Sequence, residues 1–132
     1  MPKPTVEERL AQLEKQVSDL RARVVEASEF RLVDAAGNVR GALSLTRHGP
    51  ALVLFDDRGQ PRAELLAGAE GPGLTFADPK GLSRLWLGVT KDAPRLGMAD
   101  AKGKSRAHLT VEKKGAALRF YDPGQGTAWS AP

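Results

Sequence analysis

Aspartate, glycine and arginine recur along this chain at a fixed interval. Of the three, arginine has a side chain that could bind a ligand if the repeat brings several copies together. Each of the first four aspartates is followed by glycine three residues later and by arginine three residues after that, and successive copies are 22 residues apart. Four guanidinium groups at one position of a repeat could present a ladder to phosphate or sulfate groups. The alternative is pairing of each arginine with an acidic side chain of an adjacent copy. The aspartates are Asp34, Asp56, Asp78, Asp100 and Asp122, the glycines Gly37, Gly59, Gly81 and Gly103, and the arginines, here called the Arg column, Arg40, Arg62, Arg84 and Arg106.

Other residues with chemical potential are better explained by structure. Each turn supplies mostly one carboxylate, whereas a calcium loop needs several oxygen ligands close together. His48 and His108 occupy different columns of the repeat, so a two-histidine metal site is not supported. Trp86 departs from its column and could stack on a sugar ring, while Trp129 is expected to plug the open end of a core. Because no catalytic motif is present, we expect no enzyme activity, no catalytic residue, no metal and no cofactor.

Composition and charge limit the classes of partner. The chain has 132 residues, 41% hydrophobic, no cysteine and a net charge of +4. Basic and acidic residues are interspersed and no aromatic residues alternate along a basic stripe, so no nucleic-acid partner is expected. No apolar leader is visible, and no run reaches the roughly 18 apolar residues of a membrane span. We therefore expect a soluble protein without membrane contact, with a cytoplasmic or virion-associated location favoured.

The arginines and aspartates must be positioned by two kinds of element, the first of which is a helix in a segment spanning residues 1–28. Its apolar residues are spaced alternately four and three apart, which is the heptad period of a coiled coil. Thr5 and Glu8 form a capping box, which predicts a helix of about 23 residues that begins at Val6. The heptad positions are Val6, Leu10, Leu13, Val17, Leu20, Val24 and Ala27.

The same helix carries a signature of three-stranded association. Arg9, Leu10, Leu13 and Glu14 match the trimerisation pattern of short parallel coiled coils, and Arg9 and Glu14 could pair between chains. Valine at two of three a positions with leucine at d is more typical of dimers. A helix folded back on its own domain is the third alternative. We predict a homotrimer assembled through these heptad residues together with Arg9 and Glu14.

The second kind of element is a β-hairpin, repeated about four and a half times in a domain spanning residues 29–132. Apolar columns two residues apart on both sides of each aspartate predict two short strands per copy. The Asp-x-x-Gly link is a hairpin signature, and the Gly-Pro links at 49–50 and 71–72 are expected to end strands. The incomplete last copy is interpreted as a terminal cap. Short links force antiparallel pairing, so nine or ten strands should form an up-and-down meander.

One face of that meander is apolar, and the sequence contains no further helix to cover it. The predicted fold class is mainly β, with an N-terminal coiled coil followed by an antiparallel β-meander of 22-residue repeats, arranged as an oligomeric, trimeric β-prism with leucines inward. The alternative is a monomeric up-and-down barrel that holds a small apolar ligand.

The repeat resembles tandem repeats of uncharacterised bacterial proteins with similar Asp-x-x-Gly-x-x-Arg hairpins, over about residues 30–132. It is more loosely similar to the YD repeats of Rhs-type proteins, although tyrosine precedes aspartate only at Tyr121. A short coiled coil before β-repeats also resembles the stalks of trimeric phage tail fibres. These resemblances imply a structural or adhesive role and no catalytic residue. The function predicted is that of a non-enzymatic, fibre-like scaffold; a further alternative is a glycan- or polyanion-binding module that uses the Arg column and Trp86.

Overall fold

The computed structural model describes residues 3–20 and 25–131, in which one helix precedes ten strands. The helix α1 spans Val6–Leu20. The strands are β1 (Glu29–Val33), β2 (Val39–Thr46), β3 (Gly49–Phe55), β4 (Pro61–Gly68), β5 (Gly71–Ala77), β6 (Ser83–Thr90), β7 (Ala93–Ala99), β8 (Ser105–Glu112), β9 (Gly115–Tyr121) and β10 (Thr127–Ala131).

The start of α1 agrees with the prediction, but its extent does not. The backbone N–H of Glu8 donates to Thr5 Oγ1 at 3.2 Å, and that of Thr5 donates to the Glu8 carboxylate at 2.7 Å. The helix was predicted to continue to the end of the heptad pattern, whereas residues 25–28 are not helical. Adjacent β-branched residues at 24 and 25 disfavour helix, and no residue of α1 is buried. The heptad residue Val24 lies outside the described residues.

The strands form one antiparallel sheet in sequence order, β1 to β10, which confirms the predicted meander. Among the described residues β1 and β10 lie at opposite edges, so the sheet is open. The closed barrel considered as an alternative is therefore not the arrangement found. Within the same ranges, none of the helical structure combines the length and the hydropathy that a membrane span requires.

Each aspartate organises the turn that follows it, as the hairpin signature predicted. In the second copy Asp56 Oδ1 accepts the backbone N–H groups of Arg58 and Gln60 at 3.0 and 2.9 Å. Gly59 supplies a positive φ of 74° and its N–H donates to Asp56 O. In the last copy Gln125 adopts the same left-handed conformation, with a φ of 69°.

The opposite hairpins are tighter than predicted, because the Gly-Pro pairs lie inside strands. Thr46 pairs with Gly49 across a two-residue turn, and Leu45 pairs with Pro50. The closing pair of such a turn is hydrogen-bonded and the next pair is not, so Pro50 would direct its missing donor towards β4. The ladder between β3 and β4 begins only at Ala51, so proline sacrifices no ladder hydrogen bond there.

The register places the large apolar residues on one face of the sheet, here called the apolar face. Direct cross-strand partners lie on the same face, and residues two apart along a strand do so as well. Fifteen large residues of this face are between 40% and 75% exposed. They are Phe30, Leu32, Leu43, Leu45, Leu52, Leu54, Leu65, Phe76, Leu87, Val89, Met98, Leu109, Val111, Phe120 and Trp129.

The opposite face, here called the polar face, carries the Arg column and, unexpectedly, the buried side chains. Ala51, Ala99 and Thr110 are the buried positions identified among the described hydrophobic and polar side chains, and all three belong to it. Long side chains cover small residues there, since the Trp86 indole lies over Gly97 in the place of a side chain. The isolated chain therefore has hardly any hydrophobic core, and its apolar face is open.

Candidate functional site

The Arg column forms an ion-pair ladder with the aspartates. Every arginine pairs with the aspartate six residues before it, within the same hairpin rather than with an acid of an adjacent copy. The pairs are Arg40 Nη2 with Asp34 Oδ2 at 2.8 Å, Arg62 Nη1 with Asp56 Oδ2 at 3.4 Å, Arg84 Nη1 with Asp78 Oδ2 at 3.3 Å, and Arg106 with Asp100.

The same arginines also join neighbouring copies through backbone carbonyls. Arg40 Nη1 donates to Asp56 O at 2.6 Å, and Arg62 Nε donates to Ala77 O at 2.8 Å. Arg84 makes the corresponding contact with Ala99 O, also at 2.8 Å. Each guanidinium thus connects its own turn to the strand end of the next hairpin, which is a structural use of the residue.

Hydrogen bonding keeps the turn aspartates ionised. The backbone N–H of Asn38 lowers the pKa of Asp34 below its ordinary value of 3.8, with help from the Asn38 and Arg40 side chains. The Gln60 N–H lowers the pKa of Asp56 in the same way. A ladder of alternating charges, already paired, leaves only part of each guanidinium for an external anion. Binding of a polyanion by the Arg column stays a prediction.

The predicted oligomerisation residues form an uncovered stripe along α1. Val6, Leu10, Leu13, Val17 and Leu20 are between 47% and 83% exposed. Among the described elements α1 contacts no strand, so a helix folded back on the sheet is not the arrangement found. The stripe has no covering surface within the described chain.

A second group of residues on the polar face was not recognised as a unit from the sequence. It comprises Trp86 in β6, Arg95 in β7, His108 and Thr110 in β8, and Arg119 in β9, and is called the β6–β9 cluster here. Arg95 pairs directly with Thr110, and His108 pairs directly with Arg119. The sequence signal for these residues is departure from the repeat, and Trp86 is the one member of the cluster predicted on that ground.

Aromatic contacts order the centre of this cluster. The ring centroids of Trp86 and His108 are 5.5 Å apart at an interplanar angle of 77°. Tyr121 makes a similar edge contact on the other side of His108, at 5.3 Å and 74°, with its hydroxyl 3.4 Å from His108 Nδ1. Burial lowers the pKa of His108 below 6.5, and the charges of Arg95 and Arg119 lower it further. His108 is therefore neutral at pH 7.

Neither metal chemistry nor a known family is indicated. Within residues 3–20 and 25–131, no three His, Cys, Asp or Glu side chains lie close enough to hold a metal ion. No family model matches the chain, and no curated protein matches it.

Proposed function

We propose that this chain is a non-enzymatic structural protein that assembles as a homotrimer, with its sheet serving as a stalk or scaffold. The observation that carries the proposal is the open apolar face with its fifteen large, partly exposed residues. Soluble monomers rarely expose contiguous apolar patches of more than a few hundred Å². A second and third copy of the same chain supply a covering surface of matching chemistry and matching repeat length.

The energy available from covering this face is sufficient for association. Full burial of one large apolar side chain contributes about 1.5–3 kcal/mol to stability. Because about half of each of these side chains is already buried, covering the exposed halves of all fifteen would contribute about 10–20 kcal/mol per chain. Association costs on the order of 4–15 kcal/mol in lost translational and rotational freedom. The apolar face can offset that cost without help from the helix.

The helix supplies a reason for the number of chains. Its exposed stripe has the heptad spacing of a coiled coil, and Arg9, Leu10, Leu13 and Glu14 match the trimer pattern. A helix of 15 residues is marginal in isolation. We therefore assign the helix an oligomerisation role. Three parallel helices fix the number of chains and their relative direction, and three sheets close around an axis as the walls of a prism.

A structural role is further supported by how the repeat uses its residues. The Asp, Gly and Arg of each copy are consumed by turn geometry and by the connection between hairpins. Repetition of a connection of this kind lengthens a shaft by a constant step and provides no single catalytic centre.

The test is the mass in solution, measured by sedimentation equilibrium and native mass spectrometry. We expect about 42 kDa, three times the 14.1 kDa of one chain. A stable species of 14.1 kDa would overturn the proposal. Two chains per particle would overturn the three-fold arrangement.

Removal of residues 1–27 tests the oligomerisation role of the helix separately. We expect the truncated chain to lose defined trimeric assembly at micromolar concentration, because the apolar faces alone set no stoichiometry. A variant in which the exposed Lys15 and Asp19 of α1 are exchanged keeps composition, charge and the heptad residues, and as the matched control it should remain trimeric. Trimers that persist after the truncation would show that α1 has no role in assembly.

A further inference from the structure

The β6–β9 cluster departs from the repeat on the face where the Arg column has a structural use. Outside the edge strand β1, where these two positions hold the ion pair of Glu29 and Arg31, the column that contains Arg95 otherwise holds small residues and the column that contains Arg119 holds neutral ones. The strands β3 and β5 form without an arginine at either position, so the fold does not require one there. The corresponding residues are Ala51, Gly73 and Ala117 in the first column and Val53, Thr75 and Gly97 in the second.

These departures are adjacent in space. Arg95 lies directly opposite Thr110, and Arg119 lies directly opposite His108, on three successive strands. Cβ atoms of such pairs are about 4.5–5.5 Å apart. Two positive charges thus flank one hydroxyl and one imidazole on the same face of the sheet.

The polar groups of the cluster are not used internally. Thr110 is only 8% exposed, and its Oγ1 has no hydrogen-bond partner among the described residues. His108 Nε2 is buried and equally without a partner. Arg95 and Arg119 form no ion pair with any described residue, unlike all four members of the Arg column. Glu112, two residues beyond Thr110 on the same face, forms none either.

Unpartnered buried polar atoms are rare in native proteins and call for an explanation. When the Tyr121 hydroxyl donates to Nδ1 of neutral His108, Nε2 carries the hydrogen and becomes a donor. The cluster then combines a neutral N–H and a hydroxyl, both buried, with two guanidinium groups on the neighbouring strands. This donor set suits an oxyanion such as a carboxylate or a sulfate.

Trp86 adds an apolar surface next to these donors. Its indole lies flat enough over Gly97 that a side chain at that position would overlap the ring. The ring is half-exposed and is held at its edge by His108. An aromatic ring can stack on a sugar ring, and two nearby guanidinium groups can bind an acidic substituent of the same sugar.

We propose that the β6–β9 cluster binds an acidic saccharide unit, with its carboxylate or sulfate between Arg95 and Arg119 and its ring against Trp86. The site lies on the face opposite the one proposed for assembly. It therefore goes beyond the scaffold function and does not depend on it.

The experiment is an NMR and calorimetric titration of the full chain with two probes, a heparin-derived tetrasaccharide and a galacturonic acid tetrasaccharide. Arg95→Gln and Arg119→Gln remove the two cluster charges. Arg58→Gln removes the same charge from an exposed turn and is the matched control. Trp129 lies on the apolar face and is an internal control for Trp86.

We expect the indole signal of Trp86, and not that of Trp129, to shift on addition of at least one saccharide. Arg95→Gln and Arg119→Gln should each weaken binding about tenfold or more, and Arg58→Gln less than twofold. Tighter binding of the sulfated probe identifies a sulfate ligand, and tighter binding of the galacturonate probe identifies a carboxylate ligand.

Three outcomes would overturn the proposal. The first is an equal loss of binding in Arg58→Gln, because that would indicate nonspecific attraction. The second is binding that leaves the Trp86 signal unchanged, and the third is no binding of either probe. Because Arg95 is exposed, its variant keeps the test valid even if Arg119→Gln fails to fold. Failure at this site leaves the solution mass unchanged and so is distinguishable from failure of the scaffold function.

Discussion

At the scale of single residues, each turn aspartate performs two tasks with two oxygens. Asp56 Oδ1 accepts backbone N–H groups of its own turn, while Oδ2 faces Arg62. An asparagine could keep the first task, because its carbonyl oxygen accepts hydrogen bonds. It would lose the second, since its amide donors would face a guanidinium. The Arg column therefore explains why the first four turns have aspartate rather than asparagine at this position.

We expect Asp56→Asn to lower the melting temperature by about 2–8 °C, since it removes one ion pair and one accepting oxygen. Asp57→Asn is the matched control, because that neighbouring side chain is exposed and forms no described ion pair. Thermal unfolding followed by circular dichroism at pH 7 measures both. Equal effects of the two variants would contradict the dual role of Asp56.

The lowered pKa values of the turn aspartates also predict an acid limit of stability. A carboxyl whose pKa is lower in the folded than in the unfolded chain stabilises the fold above its unfolded value of about 3.9, and this contribution is lost as the pH falls through the folded value. For Asp34 and Asp56 the direction is downward. We expect the melting temperature to fall steeply below about pH 4, and less steeply in Asp56→Asn. A melting temperature independent of pH between 5 and 2 would sink this account.

At the scale of elements, the two hairpin types solve different problems. The Asp turns rely on hydrogen bonds, whereas three of the four opposite turns are followed by a glycine with a φ between 122° and 128° at the start of the next strand. Gly71 has a φ of 122°, and a methyl group there would overlap the carbonyl oxygen of Val89. Gly115 has nearly the same φ, 125°, but no atom lies within 4 Å of the place its methyl group would take.

This pair of glycines separates backbone strain from close packing. We expect Gly115→Ala to destabilise by about 1–3 kcal/mol, the usual cost of an unfavourable φ. Gly71→Ala should destabilise by clearly more, because β5 must also move away from β6. Urea denaturation of the two variants measures the difference. Similar values would mean that the close approach to Val89 is relieved without cost.

The elements also show what a sequence can and cannot predict. The strand count, the Asp turns and the two-faced pattern followed from the repeat, because each copy encodes them locally. The end of α1 could not be predicted from the sequence pattern, because the heptad spacing continues through Ala27 while helix propensity and burial do not support a helix there. The start of β3 at Gly49 could not be predicted either. Whether Pro50 fits inside a strand depends on where the ladder between β3 and β4 begins.

The β6–β9 cluster was missed for a related reason. Trp86 and His108 are 22 residues apart and share a column, but they meet only because Gly97 lies between them on β7. Arg95 and Arg119 belong to other columns and join through strand register. Comparing copies reveals which residues depart from the repeat, and only the pairing of strands reveals that the departures are neighbours.

At the scale of the whole molecule, the chain is a row of hairpins in which each strand contacts only its neighbours. Such an arrangement gains little from its own burial, since every large apolar side chain sits on an outer face. Among the described residues the buried positions are two alanines, one threonine and two glycines, and they bury little area. Persistence of this sheet in water therefore depends on what covers the apolar face.

Two adjacent residues of β4 allow a direct test of that dependence. Leu65 lies on the apolar face and is 49% exposed, while Glu64 lies on the polar face and is also exposed. Leu65→Gln and Glu64→Gln place the same new side chain at neighbouring positions. If the apolar face were open in solution, both substitutions would be nearly neutral, since exposed positions away from special features change stability by about 0.5 kcal/mol or less.

If three apolar faces close on one another, a glutamine at residue 65 places an amide in each wall of a shared core. Burial of such a group without a hydrogen bond costs about 1–3 kcal/mol, in addition to the lost leucine contacts, and the cost recurs in all three chains. We expect Leu65→Gln to dissociate or unfold at concentrations at which the wild type and Glu64→Gln remain assembled. Sedimentation velocity over a hundredfold range of concentration measures this. Equal behaviour of the two variants would show that the leucines face water and that assembly, if it occurs, uses another surface.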